Sequence, residues 1–270
     1  MSTQDENKGL DNQGSVLCEQ NGAVAIITLS RPAALNALTW TMYTQLEAHL
    51  NRLASDDGTR AIIIRGEGPR AFAAGTDIRQ FQGFSGADGI TYEQQMDTVI
   101  ERLATMPQPV LAALHGYAVG AGLVIATACD LRYATSDARL GAPMARTLGN
   151  CLSLKNYQRL ANALGIMRTK ELLFTSRLLS AEEALRCGFL TGIVDDGQLD
   201  GYVLEVAQRI STLAPLTIRA TKEAFKRLAD GMGEDAHAFD DILAQVYGSH
   251  DFAEGVQAHS EKRRPSWTGN

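Results

Sequence analysis

His115-Gly-Tyr-Ala-Val-Gly-Ala-Gly122-Leu-Val-Ile125 decides how this chain is read. It follows the apolar run Val110 to His115, passes through small residues, and opens into the apolar stretch Leu123 to Cys129. The pattern is strand, tight turn, helix. The first N–H groups of such a helix have no intrahelical acceptor, and the helix dipole places partial positive charge there. Gly120-Ala-Gly122 contains G-x-G, but Ile125 stands where a dinucleotide-binding turn needs its third Gly, and no acidic residue follows at the required distance.

A second segment of the same kind lies upstream. Ala71-Phe-Ala-Ala-Gly-Thr-Asp77-Ile78 is strand-like up to Gly75 and helix-like from about Ile78. Small residues let a ligand approach the backbone closely. Its ordinary reading is a strand-to-helix turn with Asp77 as N-cap. Two N–H donors, one from each segment, aimed at one point would form an oxyanion hole.

Around these segments the chain reads as α/β. Residues 22–29 and 61–65 are short β-branched runs, and 39–53 between them has helical spacing with Thr39 or Thr41 as N-cap. A short strand is expected at Leu131 to Ala134. From about residue 154 the pattern turns to successive helices: 154–164, 168–175, 181–187, 199–213, 217–229, 236–247 and 252–262. Ser180-Ala-Glu-Glu183 is a capping box, and Thr217 stands at a helix start after Pro215. The expected organisation is a polar disordered tail at 1–14, an α/β core at 15–200 and a helical C-terminal region at 201–270.

Composition narrows the function classes. With 45% hydrophobic residues in 270, the chain buries an ample core. A net charge of -6 with scattered Lys and Arg argues against a nucleic-acid surface. No apolar run approaches the roughly 18 residues of a membrane span, and the N-terminus lacks signal- or transit-peptide features. Cys18, Cys129, Cys151 and Cys187 have no metal-site or disulfide-framework spacing, so neither a zinc site nor a disulfide framework is expected and a reducing cytoplasm fits.

Taken in order and separation, several segments resemble the crotonase, or enoyl-CoA hydratase/isomerase, superfamily. They are Arg31-Pro-Ala-Ala-Leu-Asn-Ala-Leu38, the Ala71 to Ile78 and Gly116 to Gly122 segments, Ala128-Cys-Asp-Leu-Arg132, Gln158-Arg-Leu160, Ala181-Glu-Glu-Ala-Leu185 with Gly188-Phe-Leu190, and Glu261-Lys-Arg263. The resemblance covers nearly all the chain after the tail. It implies a spiral of ββα turns with small perpendicular sheets, a C-terminal trimerisation region, assembly as a homotrimer or dimer of trimers, and an acyl-CoA substrate, with no cofactor other than the coenzyme A that is part of that substrate.

Carried over by position, the resemblance makes the N–H groups of Thr76 and Ala121 the oxyanion hole, within a substrate site that also takes in Asp77, Ile78 and Gly120. It places Ala74 against the adenine and Arg70 and Lys262 near the CoA phosphates, while Ala33 replaces a Lys found in many members. Two departures bear on the reaction. Hydratases of the family carry one Glu three residues after the middle of the glycine turn and another after the proline of Gly-x-Pro-Glu; here these are Val124 and the Met144 of Gly141-Ala-Pro-Met144. Both then become acyl-pocket walls. Among nearby polar residues, Arg146, Asn150, Cys151 and His115, Cys151 is either an alternative acid or nucleophile or a buried small hydrophobe. His115 is expected to hydrogen-bond at a strand end and Asp130 to anchor a helix end. The expected function is an acyl-CoA enzyme stabilising a thioester enolate. The alternatives are other chemistry on the same scaffold (isomerisation, decarboxylation, retro-aldol cleavage, thioester hydrolysis) and a non-catalytic CoA-binding scaffold.

Overall fold

The computed structural model describes residues 13–270, so the expected tail falls, but for Gln13 and Gly14, outside the described residues. Those two are held in place, since the Thr39 hydroxyl donates to the Gln13 carbonyl at 2.7 Å. Two sheets carry the fold. The larger contains β1 (Ser15–Asn21), β2 (Val24–Ser30), β3 (Ala61–Gly66), β5 (Val110–Leu114), β7 (Leu131–Ala134) and β10 (Gly192–Ile193), in the order β1-β2-β3-β5-β7-β10. All its pairings are parallel except β1 with β2. The smaller sheet runs β4 (Ala71–Ala73), β6 (Tyr117–Val119), β8 (Arg139–Gly141) and β9 (Leu179–Ser180), with only β8 and β9 antiparallel.

The helices explain this alternation. β3 and β4 lead to α2 (Gly86–Ala104), β5 and β6 to α3 (Ala121–Ala128), and β7 and β8 to α4 (Leu154–Leu164), while α1 (Trp40–Ala54) follows β2. Each turn from β3 onward thus places one strand in each sheet and then a helix, while β1 and β2 both lie in the larger sheet before α1. Parallel neighbours in one sheet need a crossover, and the second strand and helix supply it. β5 is buried at every position, as expected of a strand covered on both faces.

Local chemistry sets the helix ends. Thr39 caps α1 by accepting from the Met42 N–H, and Met42, Tyr43, Leu46, Leu50 and Leu53 form its buried stripe. The Ser180/Glu183 capping box forms at α6 (Ala181–Arg186). The C-terminal part contains seven helices from residue 154, the others being α5 (Ile166–Thr175), α7 (Leu199–Ser211), α8 (Pro215–Ala229), α9 (Asp240–Tyr247) and α10 (His250–Glu261).

Some expectations need correction. α8 begins at Pro215, whose fixed φ suits the first helical position, and Thr217 lies inside it. α10 starts two residues before Phe252 because the Ser249 hydroxyl caps it. The helix expected near Ile78 is one short 3-10 turn, Ile78–Phe81. The long helix comes next, α2, with a Ser85/Asp88 capping box that the sequence reading passed over. Short strands β8, β9 and β10 also went unread, each being only two or three residues long.

Candidate acyl-thioester site

The parallel pairing of β4 with β6 brings the two small-residue segments side by side, with Ala71 opposite Tyr117 and Ala73 opposite Ala118. Two glycines make the approach sterically possible. Gly120 has φ 56 and ψ -119, a conformation an L side chain rarely adopts. A Cβ on Gly122 would lie 2.1 Å from the Ala73 carbonyl oxygen, so α3 can begin against β4 only without a side chain there.

Hydrogen bonding around the turn leaves two N–H groups over. Leu38 N–H donates to the Gly75 carbonyl and Asp77 N–H to the Leu38 carbonyl, both at 2.8 Å. Between these bonds the Thr76 N–H has no acceptor among the described residues. Gly120 N–H is taken by the Gly141 carbonyl at 2.8 Å, whereas Ala121, the first residue of α3, likewise has no acceptor for its N–H. Unsatisfied donors of this kind attract an oxygen bearing partial negative charge.

Thr76 and Ala121 line one cavity of about 300 Å³. Ala74, Gly75 and Ile78 share its wall with Val119, Gly120, Val124 and Met144, as do Phe81 and Met96. Val124 is buried and Met144 partly so. Wider clefts of about 590 Å³ exist elsewhere, one of them past Arg65, Glu67 and His115. The smaller cavity is the better candidate because apolar walls and free N–H donors meet in it.

The polar lining includes residues that sequence reading missed. Glu93 and Tyr92 enter from α2, and Asn156 from α4. Tyr92 shares a 2.9 Å hydrogen bond with the Thr76 hydroxyl, which also lies 2.6 Å from the Tyr43 hydroxyl. Burial raises the pKa of both phenols, so both stay neutral at neutral pH. Trp40, Phe81 and Tyr92 pack edge to face around this triad. Among the described residues Glu93 is the sole carboxylate of the cavity wall, with its Oε2 accepting the Ser153 N–H at 2.7 Å. Burial raises its pKa; the Ser153 N–H opposes that shift, and the nearby Asp97 charge adds to it. The missed signal was the Ser85/Asp88 capping box, which announces the helix that carries Glu93.

Other expected site residues lie apart from the cavity wall. Cys151 is exposed and does not line it, so neither an acid in the cavity nor a buried hydrophobe describes the residue. Asp77 caps the 3-10 turn and faces Arg79 and the buried Arg31, at 2.6 and 2.9 Å. Hydrogen bonds from Arg79, with Arg31 assisting against the cost of burial, hold its carboxyl well below the usual range. It is an ionised structural anchor. Arg70 is exposed and donates to the Pro32 carbonyl at 3.0 Å, while Lys262 ends α10 in the left-handed conformation. His115 bonds through its backbone carbonyl to Phe72, and its buried Nε2 has no partner among the described residues. Asp130 anchors a strand instead of a helix end, accepting the Val110 N–H at 2.7 Å together with the Lys222 ammonium.

Among the described residues no group of three or more His, Cys, Asp or Glu is placed to hold a metal ion, and no helix is long and apolar enough to cross a membrane. Comparison with known proteins agrees with this architecture. A short-chain-enoyl-CoA hydratase of Clostridium acetobutylicum is 32% identical over 251 residues, covering 93% of this chain and 96% of the relative. An (E)-benzylidenesuccinyl-CoA hydratase of Thauera aromatica is 32% identical over 255 residues, covering 94% and 99%. The crystal structure of an enoyl-CoA hydratase/carnithine racemase from Magnetospirillum magneticum superposes with a TM-score of 0.89 at 30% identity, covering 94% of this chain and 96% of that one. The family model for enoyl-CoA hydratase/isomerase matches residues 19–270. The spiral of two sheets and the match along nearly the whole chain agree: this protein is a member of the enoyl-CoA hydratase/isomerase family, an acyl-CoA enzyme of the crotonase superfamily.

Proposed function

We propose that the chain binds an acyl-CoA thioester with its carbonyl oxygen between the N–H groups of Thr76 and Ala121 and forms an enolate at Cα there. The observation that carries this reading is the pair of acceptor-free N–H groups lining one apolar cavity. Negative charge moves onto the thioester oxygen as the Cα proton leaves, and fixed N–H donors stabilise that charge more than they stabilise the ground state. Loss of one such donor costs about 3 kcal/mol in related chemistry.

The reaction is one other than efficient hydration. Adding water across a double bond needs a group to activate water and a group to deliver a proton to Cα. Val124 and Met144, at the positions where hydratases of this family carry glutamates, do neither. A cavity of about 300 Å³ suits a short acyl chain, with the pantetheine leading outward. Ala74, Arg70 and Lys262 are the proposed CoA contacts, and the cytoplasm is the proposed compartment.

The unit of assembly is proposed to be a homotrimer or dimer of trimers. The helical region leaves Phe225 69% and Leu228 57% exposed on α8, Tyr247 63% exposed on α9 and Val256 55% exposed on α10. Apolar side chains in that number favour a partner surface. Light scattering at micromolar concentration tests this, and a strict monomer refutes it. Isothermal titration with CoA and butyryl-CoA tests the site. Absence of binding at millimolar ligand removes the functional reading, and a turnover panel of enoyl-, malonyl- and 3-hydroxyacyl-CoA esters then separates enzyme from binder.

A further inference from the structure

We infer that Glu93 is a catalytic residue of this cavity, the carboxylate that takes a proton from the acyl chain and returns it. The inference rests on the proposed binding of a thioester at Thr76 and Ala121.

Geometry is the first support. Glu93 lines the same cavity as Thr76 and Ala121 and is the only carboxylate there among the described residues. It is positioned on one side only: Oε2 accepts the Ser153 N–H at the start of α4, and Oε1 has no hydrogen-bond partner among the described residues. A purely structural carboxylate at a helix start is normally spent on capping. Here that work is done by other groups, since the Ser153 hydroxyl caps α4 by accepting from the Asn156 N–H. Asp97, one turn further along α2, ties the two helices together by accepting from the Ser153 hydroxyl at 2.6 Å and the Asn156 amide at 3.2 Å.

The surroundings suit proton transfer. Facing Glu93 are the neutral Tyr92, the Asp97 charge and the N-terminus of α4, with Arg159 reaching Asp97 and Glu101 behind. Partial burial and Asp97 make the carboxylate a stronger base than an exposed Glu, and Ser153 keeps it ionisable.

One carboxylate suffices for a 1,3-proton shift. With a 3-enoyl-CoA, Glu93 takes the proton from Cα and the electron pair moves into the thioester carbonyl held by Thr76 and Ala121, giving a dienolate. Glu93 then returns that proton to Cγ, and the double bond moves from Cβ=Cγ to Cα=Cβ. Nothing is oxidised or reduced and no water is consumed. Hydration, by contrast, needs a second carboxylate, which the described residues of the cavity wall lack.

The experiment follows Cα deuterium exchange of butyryl-CoA in D₂O by NMR, and conversion of 3-hexenoyl-CoA to the conjugated isomer, in the full chain. Glu93→Gln keeps an acceptor for the Ser153 N–H, and Glu101→Gln perturbs the same helix pair, at its contact with Arg159, away from the cavity wall. If Glu93 transfers the proton, Glu93→Gln slows both reactions by about 10²- to 10⁴-fold. It leaves butyryl-CoA affinity within a few-fold of the parent and abolishes the rise of kcat/KM with pH that accompanies Glu93 ionisation. Glu101→Gln stays within a few-fold of the parent at pH 8. Should Glu93→Gln fail to fold, Glu93→Asp decides, with kcat lowered about tenfold, KM kept and the pH limb retained. Unchanged rates in Glu93→Gln or Glu93→Asp, equal losses in Glu93→Gln and Glu101→Gln, or a parent that binds the thioester and exchanges no proton each overturn the role of Glu93 while leaving the binding reading intact. A parent that binds no CoA ester overturns both.

Discussion

The hydroxyl of Thr76 lies 2.6 Å from that of the buried Tyr43 and 2.9 Å from that of Tyr92, so α1 and α2 both grip this residue of the cavity wall, whose N–H has no acceptor among the described residues. The backbone of Thr76 is therefore fixed from its own side chain. Removing one phenol leaves the Thr76 hydroxyl a second partner, and Tyr43→Phe is expected to cost about 1 kcal/mol in urea unfolding. Removing both leaves a half-buried hydroxyl without either partner. The double variant Tyr43→Phe/Tyr92→Phe should fall about 1–2 kcal/mol beyond the sum of the single changes, and a strictly additive cycle would show that the three hydroxyls do not act as one unit.

Gly122 presents the sharper steric test. Its missing Cβ would meet backbone, the Ala73 carbonyl oxygen at 2.1 Å, and backbone cannot swing aside as a side-chain tip can. Gly122→Ala should push the start of α3 away from β4, destabilising the fold by about 1–3 kcal/mol. Because Ala121 is the preceding residue, the same shift displaces its N–H and should lower turnover more than it lowers CoA affinity. Stability and kcat both matching the parent would contradict the close approach.

These residues also mark what the sequence made legible. The segments Ala71 to Ile78 and Gly116 to Gly122 were readable because small residues between apolar runs have few other uses, and the structure places Thr76, Ile78, Gly120, Ala121, Val124 and Met144 on one wall. Glu93 was not readable. Its helix begins Gly86-Ala-Asp-Gly89, with two poor helix formers in its first turn, and it carries a long polar face. Its place in the cavity depends on α2 packing against α3 and hydrogen-bonding to the start of α4, contacts that no local spacing encodes. Cys151 failed for the opposite reason: proximity in sequence to the expected pocket suggested a role, but the loop turns its side chain to solvent. Strands of two or three residues, such as β9 and β10, carry too little pattern to be seen without their partners.

Asp77 should govern acid stability. Its carboxyl is held well below the ordinary Asp value by Arg79 and Arg31, so the folded state binds that proton more weakly than the unfolded state. The contribution is fully present above the unfolded pKa of about 3.9 and is lost as pH falls toward the lower folded value. Asp77→Asn removes the carboxylate facing buried Arg31 and is expected to cost about 3 kcal/mol at pH 7. The gap between variant and parent should close as pH drops below about 4. Urea midpoints measured from pH 3 to 7 decide it, and a gap independent of pH would assign the cost to packing alone.

Val124 and Met144 set the last expectation, that this chain hydrates crotonyl-CoA poorly. Both side chains face the cavity, Val124 from the first turn of α3 and Met144 from the loop after β8, and neither moves a proton. Glu93 supplies at most one of the two proton transfers that hydration needs. Each positioned acid or base contributes about 10²- to 10⁴-fold, so the parent should fall behind a two-carboxylate hydratase by at least about 10²-fold. Installing the groups tests the cause directly, and Val124→Glu with Met144→Glu should raise hydration by about 10²-fold. The gain is opposed by the cost of placing a carboxylate where Val124 is only 2% exposed, which makes Met144→Glu, at the more open site, the milder single change. Thermal unfolding of each variant separates a fold that rejects the charge from one that accepts it. Rapid hydration of crotonyl-CoA by the unmodified chain would mean that other residues carry both proton transfers, and that Val124 and Met144 do not limit the reaction.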